Sequence, residues 1–231
     1  MAKKQTQTLD EREIMLNKSE AFVIKYKKQL IAAVVAILVV VGGWLAYNNF
    51  SASSQEEAST AMAKAQEYFD AQNYAEALNG DKKDCKGFVY IANEYSSTKA
   101  GNLAKLYAGL CSAQLGKWED AVKYLEGFST KNDAMVSPAA LFALGNAYAN
   151  KKQLDKAVDA MKSAASKADA EAKDGANNSL SPTFLLRAAD ILLSQNKNDE
   201  ALAIYQDIKK KYVQSMAYQE IDKYIERASQ K

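Results

Sequence analysis

Hydrophobic and polar positions are arranged in two different ways along this chain. Residues 29–55 contain no Asp, Glu, Lys or Arg, and residues 30–47 within them are almost wholly apolar. A helix rises about 1.5 Å per residue and the hydrocarbon core of a bilayer is about 30 Å thick, so the run is long enough to cross one. It predicts a transmembrane helix over residues 29–50. Trp44 and Tyr47 mark one end, where amphipathic rings favour the headgroup zone, and Lys25, Lys27 and Lys28 close the other. Ala32 with Ala36, and Gly42 with Ala46, place small residues one turn apart, which permits close approach by a second membrane helix.

Beyond the apolar run the pattern changes to helical spacing with small residues at regular places. Leu141, Leu144, Gly145 and Tyr148 are followed by Ala157, Met161 and Ala164. Two antiparallel helices approach closely only where small side chains meet, so this segment predicts a helical hairpin. The same pattern recurs upstream in Gly109, Gly116, Trp118, Ala121, Leu125 and Phe128, with Lys105 where a large apolar residue is expected. It recurs downstream in Leu185, Ala188, Ala189 and Leu192, then Ala201, Tyr205 and Ile208, and at the start in Ala65, Tyr68, Tyr74 and Ala77. Both prolines of the chain, Pro138 and Pro182, follow a serine at the start of a unit. Serine at the N-cap with proline at the first helical position is the expected reading. Surplus residues fall in two loops, 79–84 and 166–179, and Ile221, Tyr224, Ile225 and Ala228 share one face of a final helix.

These units resemble tetratricopeptide repeats, which have a period of about 34 residues. Together with the apolar run, the resemblance gives an all-α fold: an N-terminal transmembrane helix, then a tetratricopeptide-repeat superhelix of about four helical hairpins and a C-terminal capping helix. The expected organisation is a cytoplasmic arm over 1–28, the span over 29–50, a spacer over 51–57 and a periplasmic repeat domain over 58–231.

Charge sets the orientation. The arm carries seven basic residues and four acidic ones, and the first charges after the span are Glu56 and Glu57. Basic flanks stay on the cytoplasmic side, which puts the repeats across the membrane. A cleaved signal peptide, the rival reading, has a shorter apolar core and a small-residue cleavage site. Of 30 basic and 28 acidic residues, 23 and 24 remain outside the arm, so the domain is close to neutral and lacks a nucleic-acid stripe. With no histidine, the commonest general base and metal ligand is missing. Cys85 and Cys111 leave a disulfide open without requiring one.

No nucleophile, phosphate-loop or metal spacing appears, so no enzyme activity, cofactor or small-molecule substrate is expected. Asp81 and Asp84 lack the further ligands of a calcium loop. What remains is a binding surface. By resemblance to tetratricopeptide arrays, the concave groove is lined by Met62, Phe69, Leu103, Leu106, Leu110, Phe142, Asn146, Leu186, Asp190 and Leu193. Many are apolar, as partner surfaces are.

The layout of arm, span and outward-facing repeats resembles the translocon-associated, YfgM-like proteins of bacterial inner membranes. Residues 77–80, 95–104 and 116–121 resemble members from the Bacteroides lineage. The resemblance implies a non-enzymatic accessory of the Sec export channel, with translocon subunits and a periplasmic chaperone or exported client as partners. The alternative is a scaffold for wall or outer-membrane assembly.

Overall fold

A computed structural model of the chain describes residues 25–28, 35–44, 51–81 and 83–230. It divides into two units, residues 1–53 and 54–231. In the first, residues 25–28 and 35–44 are helical, and Val35, Ile37, Leu38, Val39, Val40, Val41 and Trp44 are all exposed. Among the described residues no helix is long and apolar enough to cross a membrane. Of the expected span over 29–50, only residues 35–44 are described; most of the arm, Ala32 and Ala46 lie outside them. Ala36 and Gly42 are exposed, and a Cβ at Gly42 would meet nothing within 4 Å.

The second unit is a stack of helical hairpins. The first pairs α1 (helical over 51–70) with α2 (Tyr74–Asn79) and α3 (Gly87–Glu94), which share the second-helix place. The others pair α4 (Lys99–Gln114) with α5 (Trp118–Glu126), α6 (Val136–Asn150) with α7 (Leu154–Ala170), and α8 (Ser181–Ser194) with α9 (Asn198–Lys211). A 3₁₀ turn, Met216–Gln219, leads to α10 (Ile221–Ser229), which packs on α9 and covers the end of the stack. From α3 onward, helices pack mainly against their sequence neighbours, the pattern of a repeat stack.

The small residues are what allow the close approach within each hairpin. A Cβ at Gly109 would lie 2.5 Å from Leu125 Cγ, and one at Gly145 would lie 2.8 Å from Met161 Cγ. Ala77, Ala121, Ala157 and Ala201, one on the second helix of each hairpin, are fully buried. The hairpin turns share one backbone solution. Gln72, Gly116, Lys152 and Asn196 have φ of 60°, 71°, 61° and 60°. The residue after each, Asn73, Lys117, Gln153 or Lys197, donates its N–H back to Tyr68, Ser112, Tyr148 or Leu192. That left-handed residue closes a Schellman-type helix end, and glycine occupies it once in four.

The first repeat carries the loop expected at 79–84, and an aspartate organises it. Asp81 Oδ1 accepts from the N–H groups of Lys83, Asp84 and Cys85 at 2.8–2.9 Å, and Oδ2 accepts from Tyr68 hydroxyl at 2.7 Å. The Tyr68 bond, followed by those backbone donors, holds the carboxyl far below its usual range and raises the Tyr68 hydroxyl to about 12.

The second surplus loop is organised by Asp169 at the end of α7, itself buried at 7% exposure. Its Oδ1 accepts from Ser181 Oγ at 2.6 Å and Asn177 N–H at 2.7 Å. Its Oδ2 accepts from Lys211 Nζ at 2.5 Å and Tyr212 hydroxyl at 2.6 Å. Burial opposes ionisation, but the bonds from Lys211, Ser181, Tyr212 and Asn177 together hold the carboxyl below the ordinary carboxylate range. One side chain thereby joins α7, the loop, α8 and the end of α9.

Two expectations need correction. Ser137 and Ser181 are not N-caps: Ser137 is second in α6 and Ser181 first in α8. Each fully buried hydroxyl instead donates to a carboxylate, Asp133 at 2.5 Å and Asp169 at 2.6 Å. The helix starts are held by Asp133 Oδ1, which accepts from Met135 and Ser137 N–H, and by Asn177 Oδ1, which accepts from Ser179 and Leu180 N–H. Residues 51–57, expected as a spacer, are helical, and Gln55 and Glu57 among them are bonded to the start of α4 and the turn before it. Gln55 Oε1 accepts from Lys99 N–H at 2.7 Å and Ala100 N–H at 3.3 Å, and Tyr95 hydroxyl donates to Glu57 at 3.2 Å. Cys85 and Cys111 are both buried free thiols, and burial pushes Cys111 up to about 12.

Candidate functional site: an apolar pocket across three hairpins

The repeat pattern puts a first helix, α1, α4 or α6, on the same side of three successive hairpins. Between them lies a pocket of about 470 Å³ lined by Phe69, Leu103, Leu106, Tyr107, Leu110, Met135, Val136 and Ala139. Among the described residues its lining carries no charged side chain. The pocket lies over the junction of two cores. Phe69 and Tyr107 pack on the core of the first hairpin, Leu106 belongs to that of the later hairpins, and Leu103 touches both.

The floor is fixed by aromatic contacts. Phe69 meets Tyr107 edge-on with centroids 5.0 Å apart, and Tyr107 stacks on buried Phe88 at 5.0 Å. Such pairs add about 0.5–1.5 kcal/mol each beyond their burial and hold the rings in place. Met135 is 71% exposed and Val136 43%, so the outer lip is wet and apolar. A partner Leu or Phe buried there would gain about 1.5–3 kcal/mol.

Four of the ten groove residues expected from sequence, Phe69, Leu103, Leu106 and Leu110, meet in this pocket. Met62 is buried in the first-hairpin core and lines a neighbouring hollow of about 290 Å³ with Gln55, Ser59, Gln66, Lys99 and Leu103. Leu103 joins the two hollows, giving the groove a polar end and an apolar end. The other five lie along α6 and α8. Phe142 is half-buried and stacks on Phe184 at 4.6 Å, which occupies its ring face. Leu186 and Leu193 pack half-buried against the core, Asn146 is half-buried, and Asp190 is exposed. Tyr205 is pushed up to about 12, first by burial and then by the charge of Asp190. Sequence reasoning missed Tyr107, Met135, Val136 and Ala139. An available signal was the apolar Met135–Val136 pair directly before Ser137–Pro138.

Residues 20–175 match the family model of the tetratricopeptide repeat-like domain. The chain belongs to that family. Residues 184–215 match a tetratricopeptide repeat separately, which corresponds to α8 and α9. No curated protein and no solved structure matches the chain. Tetratricopeptide domains serve as protein–protein interaction modules, and an apolar pocket across successive first helices is the kind of surface such a module presents.

Proposed function

We propose that the chain is a membrane-tethered interaction module of a bacterial inner membrane, with its repeats in the periplasm and its pocket holding an apolar segment of another protein. The observation that carries the reading is the uncharged, aromatic-floored pocket between α1, α4 and α6. An apolar surface of this kind in a domain with closely packed cores is best explained by a protein partner. The tether rests on the charge-free stretch over 29–55, its basic leading flank, and the exposure of every large apolar side chain described within it. The family match begins at residue 20, ahead of that stretch, so the matched region takes it in.

Placed beside the Sec export channel, such a tether raises the local concentration of the pocket near emerging chains or the chaperones that receive them. The protein then acts as a non-enzymatic accessory of export. The test is photo-crosslinking in cells from probes at Trp44 and Met135; Met135 is chosen because its side chain is exposed at the pocket lip. Channel subunits at the first probe and a chaperone or exported chains at the second are the expected adducts. Adducts confined to wall or outer-membrane assembly proteins would replace this reading with an envelope scaffold.

A further inference from the structure

The apolar pocket is one end of a longer furrow between α1 and α4, and the spacing of its walls is regular. On α1 the residues lining the pocket and the polar hollow beside it are Gln55, Ser59, Met62, Gln66 and Phe69, steps of four, three, four and three. On α4 they include Lys99, Leu103, Leu106 and Leu110, steps of four, three and four. Such alternation averages 3.5 residues, the spacing at which helices pack knobs into holes along a seam. The two helices run the same way, because Gln55 meets the start of α4 and Phe69 meets Tyr107 further along. The furrow is therefore walled by two seams that could accept a third helix, with the start of α6 at its apolar end.

Chemistry narrows the occupant further. Among the described residues, no side chain lining the apolar pocket carries a nitrogen or oxygen except the Tyr107 hydroxyl. An extended segment lying there would bury backbone N–H and C=O groups without partners, at about 1–3 kcal/mol each, whereas a helix pairs its own. The polar end supplies charge. Among the described residues, Lys99 is the one charged side chain lining that hollow; it is exposed and makes no ion pair. Gln55 and Ser59 beside it are bonded to each other at 2.9 Å. An occupant lying along the furrow thus meets apolar walls at one end and a single positive charge at the other.

We infer that the furrow takes one amphipathic helix of a partner protein, with apolar side chains at i, i+3 and i+7 along the Leu103–Leu110 stripe and an acidic side chain one turn beyond them facing Lys99. The inference deepens the reading of the pocket as a partner site and rests on it. Eleven residue steps separate Lys99 from Leu110, about 16 Å of helix, so the seated segment is about three turns long. The apolar anchors supply the affinity, and the exposed ion pair sets the register.

The full chain in lipid nanodiscs is titrated by fluorescence anisotropy with four labelled peptides of about sixteen residues, empty discs serving as the blank. The first is a stapled helix with Leu at the three anchor positions and Glu one turn beyond. The second has the same composition with the anchors scattered around the helix. The third has the first sequence, unstapled and broken by a central pair of D-residues. The fourth replaces Glu by Lys. The first is expected to bind about tenfold tighter than the second and third, and about threefold tighter than the fourth. Lys99→Glu should reverse the preference between Glu and Lys, and Val136→Glu should weaken the first peptide about tenfold. Equal binding of the stapled and broken peptides, or no binding by any of them, overturns the helical occupant. A charge preference untouched by Lys99→Glu overturns the register contact. Crosslinks from Met135 in cells separate this inference from the reading beneath it. A partner segment captured there in extended form overturns the helix and keeps the partner site, whereas no protein adduct from Met135 removes both.

Discussion

Replacing Asp169 by Ala removes the acceptor that ties α7 to three later segments. Four donors lose a partner: Ser181 Oγ, Asn177 N–H, Lys211 Nζ and Tyr212 hydroxyl. They do not count equally. Ser181 keeps a second acceptor, Ala165 carbonyl at 3.0 Å, and the Lys211 side chain, 39% exposed, turns to water. Asn177 is half-buried and recovers part of its loss by hydration. Tyr212 is 2% exposed, and its buried hydroxyl loses its carboxylate acceptor and keeps only the Ser181 side chain beside it. An orphaned buried group costs about 1–3 kcal/mol, so the sum for Asp169→Ala is about 2–4 kcal/mol. Asp169→Asn keeps one oxygen for Asn177 and Ser181 and offers an NH₂ to the Tyr212 oxygen, so it costs less, about 1–2 kcal/mol. Because the folded carboxyl lies below its unfolded value of about 3.9, its contribution is present above that pH and is lost as pH falls through the folded value. Hydrogen exchange of the full chain in detergent at pH 7, read over residues 171–215, is the assay, with denaturant titration by circular dichroism at pH 7 and pH 3. A loss below about 1 kcal/mol, or a wild-type-to-Ala difference that is the same at both pH values, would refute the argument.

Three further outcomes follow from the same structure. Gly145→Ala sets a Cβ 2.8 Å from Met161 Cγ and 3.1 Å from Ala157 carbonyl, while the better helix former returns about 1 kcal/mol. A net loss of about 1–2 kcal/mol in denaturant titration is expected, and a gain would show that Met161 yields freely. Lys152→Gly relieves a left-handed backbone at φ 61° and should stabilise by about 0.5–1 kcal/mol, whereas Asn196→Gly at φ 60° should gain less because Asn tolerates that region. Thermal melting of the two side by side decides it. Val136→Glu, on a part-exposed side chain of the same pocket lip, should leave stability within about 0.5 kcal/mol and cut crosslinking from the Met135 probe about tenfold or more; undiminished crosslinking would remove the pocket from the interface.

Much of the repeat phase was legible in the sequence. Gly109 and Gly145 mark where a second helix crosses closely, and Ala77, Ala121, Ala157 and Ala201 mark its opposite wall, because volume at a crossing is a local property of the residue type. The capping chemistry was not legible. Ser137 and Ser181 look like caps in one dimension, but their acceptors, Asp133 and Asp169, come from outside the helices they begin. Of the ten residues placed on the groove, Phe69, Leu103, Leu106 and Leu110 meet in one pocket, while Phe142 stacks on Phe184, an aromatic partner 42 residues away that the local pattern does not announce. Whether residues 51–57 are a spacer depended on Gln55 finding the start of α4 and Glu57 the turn before it, about one repeat later in the chain.

The nearest-neighbour order of the stack also bears on how the domain is made. Among the described residues, no hydrogen bond spans more than the 45 residues between Gln55 and Ala100. Contact order is therefore low, loop-closure entropy is modest at every step, and each hairpin needs only the one before it as a template. A repeat domain that emerges with its first hairpin leading can acquire structure vectorially, hairpin upon hairpin, without waiting for its last residues. The α8–α9 hairpin joins the growing stack when Lys211 and Tyr212 reach Asp169. α10 then seals it, turning a surface that still accepts the next helix into one that has stopped growing.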